Sequence, residues 1–168
     1  MDETSLNLNT PLCQCWQKRG QQLRIPAVRY AQTYGCCRLI GAYNWATDNV
    51  HAHFPTHLCS QTFLHFLEWL LFKIYPRQSV ILVMDNASYH QAAVVNAFCA
   101  LLEHRLQVIY LPPYCSNLNL IERYWRHLKR LACSNRLFDS LDLLASQLRR
   151  LLALQNNPLA PEHFSFVK

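Results

Sequence analysis

The sequence predicts an α/β fold, a mixed sheet flanked by helices, in a single domain of 168 residues. Three observations point there. Ser79 to Met84 (SVILVM) and Gln107 to Leu111 (QVIYL) are continuous, β-branched apolar runs that read as strands buried on both faces. Between them, Gln91 to Glu103 has helical spacing, so the pair reads as parallel strands joined by a helix. Residues 36–45 and 49–54 are earlier, shorter strand patterns separated by the turn-like Ala46-Thr47-Asp48.

The remaining elements follow in order. His57 to Tyr75 carries apolar residues on a broad helical face and is stopped by Pro76. Pro112-Pro113 breaks the chain into a loop after the second apolar strand. From Asn119 to Cys133, the spacing of Ile121, Tyr124, Trp125, Leu128 and Leu131 predicts a helix, with Trp125 in the core. A last helix runs from about Ser140 to Leu154 and ends at Asn156-Asn157-Pro158. No internal repeat interrupts this order.

Composition narrows the function classes. The chain is 51% hydrophobic without low-complexity tracts, and no apolar run approaches the ~20 residues that span a bilayer. Met1 to Thr10 lacks the basic-then-apolar pattern of a signal peptide, so a soluble, cytoplasmic protein is expected, with no membrane partner. The net charge of +6 favours a polyanionic partner, because Lys and Arg that neutralise phosphates release counterions. Only 10 acids occur, so each carboxylate in an apolar setting needs a reason. The eight cysteines form no C-x-x-C pair, which argues against a zinc ribbon and for reduced, structural thiols.

Three acids stand out. Asp85 follows directly on the apolar strand and opens Asp85-Asn86-Ala87-Ser88-Tyr89-His90. A carboxylate at that edge points into the crevice where α/β proteins bind ligands, although Asp-Asn is also good turn chemistry. Glu122 lies at a helix start, where it either completes a capping box with Asn119 or faces a metal ion. Arg123, Arg126, Lys129 and Arg130 place a basic stripe on the same helix, suited to a phosphate backbone. Asp2, in Asp2-Glu3-Thr4, reads on position alone as part of an exposed tail.

These strings resemble one family. ILVMDNASYH (81–90) followed by LPPYCSNLNLIERYWRHLK (111–129) is similar to the catalytic core of mariner-related bacterial insertion-sequence transposases of the DDE superfamily. Their pattern is an apolar strand, Asp-Asn-x-x-x-His, then Leu-Pro-Pro-Tyr-Ser-Pro-x-Leu-Asn-Pro-Ile-Glu. Met1-Asp2-Glu3-Thr4 with the later Trp16-Gln17-Lys18-Arg19-Gly20-Gln21 resembles that family's first catalytic segment. The similarity extends over nearly the entire chain.

The resemblance implies an RNase H-like fold in which Asp2, Asp85 and Glu122 coordinate two Mg²⁺ (or Mn²⁺) ions for phosphoryl transfer on DNA. It implies double-stranded DNA partners, both transposon ends and target, in the bacterial nucleoid, and it leaves a homodimer open. Asn86 and His90 then orient a catalytic carboxylate or touch phosphate; packing at the helix entry is the other reading of His90. Asn119 is expected to cap its helix, and Pro112, Pro113 and Tyr114 to shape the loop before Glu122.

Two departures matter. Cys115-Ser116-Asn117-Leu118-Asn119-Leu120 lacks two prolines of the family string, which should loosen that loop. The family's helix-turn-helix region is expected upstream of the first Asp, outside residues 1–168, so an upstream DNA-binding half is an expected partner. Asp2 should sit at or just past the end of a first strand, yet only Met1 stands ahead of it. Either other residues supply that strand or the chain is an incomplete copy. An inactive, truncated remnant that binds DNA or oligomerises is therefore the alternative function, and an RNase H-like nuclease or resolvase is a third.

Overall fold

Eight residues, Cys37–Asn44, form the longest strand, β2, and every other layer is arranged about it. It turns through 45–48 into β3 (Asn49–His53), with Asp48 taking a left-handed φ of 57° that a short polar side chain tolerates. On its other edge β2 pairs antiparallel with β1 (Asp2–Leu6), in the register Asp2 to Gly41 and Leu6 to Cys37. The computed structural model describes residues 1–8, 16, 18–21, 24, 35–112, 115, 118–161, 163 and 165.

A second sheet is made of β4 (Val80–Met84) and β5 (Leu106–Tyr110), which are parallel and joined through α2 (Ala93–Leu101). This is the predicted strand–helix–strand unit. The two sheets meet where the Met1 ammonium donates to the Val83 carbonyl at 2.7 Å.

Strand alternation distributes the core. Cys37 and Leu39 of β2 face one way, onto α3 (Leu120–Cys133) and α4 (Leu141–Gln155). Ile40 and Ala42 face the other way, with Met1, Leu82 and Met84, onto Phe63, Phe66 and Leu67 of α1 (Ser60–Trp69). The helix predicted over 57–75 is α1 followed by one wider turn, Leu70–Ile74, where the Tyr75 N–H reaches back to the Leu70 carbonyl. Residues 57–59 stay outside because the Thr62 hydroxyl accepts from the Cys59 N–H and donates to the His57 carbonyl.

α3 buries Ile121, Tyr124, Trp125, Leu128, Ala132 and Cys133, a stripe at helical spacing, and Trp125 is core as expected. α4 is capped by the Ser140 hydroxyl, which accepts from the Leu143 N–H at 3.2 Å. At its far end Asn156 grips β3, accepting from the Val50 N–H (2.7 Å) and donating to the Val50 carbonyl (2.9 Å).

One expectation is corrected. β4 and β5 are buried on a single face: Leu82 and Met84 point inward, but Ile81 is 64% exposed, Val83 36% and Ile109 44%. The reason is that α3 and α4 lie over β1–β3, where their apolar stripes meet Leu39 and Val50. Cys36, Cys37, Cys59, Cys99, Cys115 and Cys133 are free thiols. Among the described residues no helix is long and apolar enough to cross a membrane.

Candidate metal centre

Consecutive acids on a strand face opposite ways, and β1 uses both directions. Asp2 shares the α3 face with Thr4 and Leu6, while Glu3 shares the α1 face with Met1. Asp2 begins β1, where the sequence suggested it would end a strand: the pairing that orders it, Asp2 with Gly41 through Leu6 with Cys37, lies entirely downstream. Gly41 opposite it is required. A Cβ there would lie 2.8 Å from Cη2 of the Trp125 indole and 3.0 Å from the His51 carbonyl oxygen.

Asp85 stands one residue beyond β4, and its side chain is 49% exposed. Its Oδ1 accepts from the Ala87 N–H at 3.2 Å, the turn chemistry that Asp-Asn offers, so the turn and the crevice readings hold together. The turn leads into a short 3-10 segment, Ser88–Gln91, which brings His90 back beneath Asp85. The imidazole is fully buried, with Nδ1 3.0 Å from Asp85 Oδ1 and Nε2 2.9 Å from Glu3 Oε1. It also packs on the Phe63 ring at 4.3 Å, so its orienting and packing roles coincide. Burial disfavours the imidazolium, but the Glu3 and Asp85 contacts outweigh it and push the His90 pKa above its ordinary value.

Glu122 lies in the first turn of α3, half-buried. Asn119 precedes the helix, but its side chain makes no cap. It is 4% exposed, and its amide donates instead to the Met1 carbonyl at 3.0 Å, which ties the start of α3 to the start of β1. The expected cap is therefore a tether: the Asn119 NH₂ group donates to the Met1 carbonyl, and the side chain makes no bond to the helix N–H groups. The capping-box reading of Glu122 falls with it.

Asp2, Asp85 and Glu122, from three separate elements, come close enough to interact. The Asp2 pKa is pushed up to about 7, first by burial and then by the carboxylates of Glu3, Glu122 and Asp85. Burial pulls the Met1 ammonium down to about 6, against the opposing pull of Asp2, Glu3 and Asp85. Glu3, Asp85 and His90 form a second convergence, with one ligand-capable atom each within 4.8 Å of the others. The sequence pattern did not single out Glu3; its one signal was adjacency to Asp2, which on a strand commits it to the opposite face.

The other expected residues are spread around this centre. The Asn86 amide donates to the Leu111 carbonyl (2.8 Å) and accepts from Gln91 (3.2 Å), so it joins the two loops beyond β4 and β5. Arg123, Arg126 and Arg130 are exposed on α3 and, with His127, line an open cleft of about 350 Å³; Lys129 is half-buried beside it. Pro113, Tyr114, Ser116 and Asn117, on which the loop-shaping and proline-loss expectations fall, lie outside the described residues, as does Gln17.

Comparison with known proteins agrees with this fold. A family model described as DDE superfamily endonuclease matches residues 1–145. The "Insertion element IS630 uncharacterized 39 kDa protein" of Shigella sonnei is 27% identical over 152 residues, covering 90% of this chain and 43% of that protein. The structure of the "Mos1 transposase paired-end complex with left transposon end" superposes with a TM-score of 0.65 at 17% identity, covering 90% of this chain and 46% of its own. The "Mos1 mariner paired end complex with Mn" gives 0.60 at the same identity and coverage. The chain thus spans under half the length of these relatives, and its fold is the RNase H-like one of the transposase catalytic domain. By the family match, with the acids of three elements gathered at one sheet edge, the chain belongs to the DDE superfamily endonucleases.

Proposed function

We propose that this chain is the catalytic domain of a divalent-metal-dependent DNA transposase, cleaving and joining DNA at transposon ends, with Asp2, Asp85 and Glu122 as the metal ligands. The observation that carries it is the Asp2 carboxyl, held up to about 7 among other acids in a partly buried setting. Carboxylates crowded in this way repel unless a cation or protons intervene. The donor set is all oxygen, which suits Mg²⁺ or Mn²⁺. Two such ions, when bound, supply an activated oxygen nucleophile and stabilise the leaving oxygen of an in-line displacement.

The residues around them have separate tasks. His90 lies between Glu3 and Asp85: its Nε2 hydrogen-bonds Glu3 Oε1 at 2.9 Å, and its Nδ1 faces Asp85 Oδ1 at 3.0 Å and hydrogen-bonds the Asp85 backbone carbonyl at 3.3 Å. We therefore read Glu3 and His90 as positioning residues: they hold Asp85 Oδ1, and its Oδ2 meets no hydrogen-bond donor among the described residues. Asn119 sets the α3 end against β1, which keeps Glu122 beside Asp2. Arg123, Arg126, Lys129 and Arg130 offer a cationic rim for duplex phosphates. Recognition of particular ends would fall to an upstream DNA-binding region working with this domain.

The test is nicking of supercoiled plasmid with Mn²⁺ or Mg²⁺, paired with calorimetric titration of Mn²⁺. Asp85→Ala should abolish nicking and weaken Mn²⁺ binding, as should Asp2→Ala and Glu122→Ala. Equal cleavage by Asp85→Ala overturns the assignment. Mn²⁺ binding indifferent to all three acids would instead mark an inactive remnant.

A further inference from the structure

The two faces that meet at the acidic edge are chemically unlike. α3, packed on one face of β2, carries the exposed Arg123, Arg126 and Arg130. The chain from Asn86 to Leu102, which packs through Val95 with α1 on the other face, contains no Asp, Glu, Lys or Arg. What it offers to solvent instead is amides: Asn86, Gln91 and Asn96 are all exposed. Cations hold phosphates whatever the sequence, whereas neutral donor–acceptor groups can read base edges.

These amides are tied together. The Asn86 side chain donates to the Leu111 carbonyl at 2.8 Å and accepts from Gln91 Nε2 at 3.2 Å. The Asn96 side chain donates to the Gln91 carbonyl at 3.0 Å, which fixes the backbone of Gln91 as well. Gln91 closes the short 3-10 segment directly after the buried His90. Its bond to Asn86 uses one N–H of the carboxamide. The second N–H and Oε1 meet no partner among the described residues, and they lie side by side on an exposed side chain.

We propose that Gln91 reads an adenine beside the bond cut at the metal centre and so sets a sequence preference there; this rests on the reading of duplex DNA as the substrate. The free N–H and Oε1 match the N7 acceptor and N6 donor that adenine turns to the major groove, a pair that no other single base presents. The reach agrees. Gln91 Nε2 touches the side chain of Asn86, the chain neighbour of Asp85, so the carboxamide stands within about 14 Å of the Asp85 carboxylate, roughly four base steps. Because Asn86 and Asn96 already hold Gln91, little ordering is left to be done on contact.

The test is selection of bound duplexes from a pool randomised over its central base pairs, with Ca²⁺ in place of Mn²⁺, followed by mapping of nicks in Mn²⁺. The unaltered chain should enrich adenine at one position. Gln91→Ala should keep overall affinity within about twofold and lower that adenine preference by about fivefold or more. Gln91→Glu, which can only accept, should move the preference toward cytosine through its N4 donor, a change of base identity that a packing role would not produce. In nicked DNA the selected position should fall within about four base pairs of the nick. Unchanged adenine preference in Gln91→Ala, or equal binding of all sequences by the unaltered chain, would overturn the proposal. Selective binding that depends on Gln91 without any nicking would support its role and sink the catalytic reading; nicking without base preference would do the reverse.

Discussion

Asp2 sits among three other carboxylates, and its titration is the most direct report on the centre. In the unfolded chain it ionises near 3.8, in the fold at about 7. Across that window the unfolded chain releases the proton first, so stability falls as pH rises. Met1 acts oppositely: its pKa of about 6 lies below the ordinary value of 8.0, so stability recovers between pH 6 and 8. The Asp2 effect is therefore cleanest from about pH 4 to 6. Asp2→Asn should flatten the fall of Tm there and raise Tm at pH 6; an unchanged slope in thermal melts would show that the carboxyl is not held among the other acids.

His90 is the second residue whose removal should be felt widely. Its pKa is pushed up by Glu3 and Asp85 against the opposing effect of burial, so its contribution is present at low pH and lost as pH rises through its folded value, above 6.5. His90→Ala takes the imidazole away from the Glu3 carboxylate, 10% exposed, and leaves it only the Tyr89 hydroxyl. A loss of about 3 kcal/mol in urea unfolding is expected. A change near zero would mean that Glu3 finds water instead.

At the scale of elements, the centre depends on how closely α3 lies against β1 and β2. Gly41 permits that approach: in Gly41→Ala a methyl group meets the Trp125 ring at 2.8 Å. Trp125 is buried under the α3–α4 layer and has little room to retreat. The substitution should cost about 1–3 kcal/mol and weaken Mn²⁺ binding, because β1 and Glu122 move apart. Ser140→Ala, at the cap of α4 and distant from the acids, should cost about 1 kcal/mol and leave Mn²⁺ binding intact. If both variants bound metal equally poorly, general destabilisation would explain the first.

For the whole molecule, charge is the organising feature. Sixteen Lys and Arg against ten acids leave a positive surface, while four of the acids gather at one sheet edge. The arginines of α3 point outward beside that edge. Duplex DNA binding should weaken steeply with salt. Changing Arg123, Arg126 and Arg130 to Gln should flatten the slope of log K against log salt by about 0.9 for each phosphate no longer neutralised. An unaltered slope would move the DNA path to another face.

Much of this was legible in the sequence because it is local. The apolar runs at 79–84 and 107–111, the helical stripe of 121–133 and the last helix from about Ser140 each follow from side-chain spacing. Asp85 and Glu122 were marked by strings that keep their meaning wherever the chain folds. Tertiary structure decided what depends on distant partners: Glu3 and His90 meet across 87 residues, and Asn119 serves Met1 rather than its own helix. It also decided that β4 is covered on one face only, since which sheet α3 and α4 choose is a matter of complementary surfaces. Spacing along the chain can announce a strand or a helix. Which face is covered, and which acid meets which base, is set by packing between elements that sequence order does not bring together.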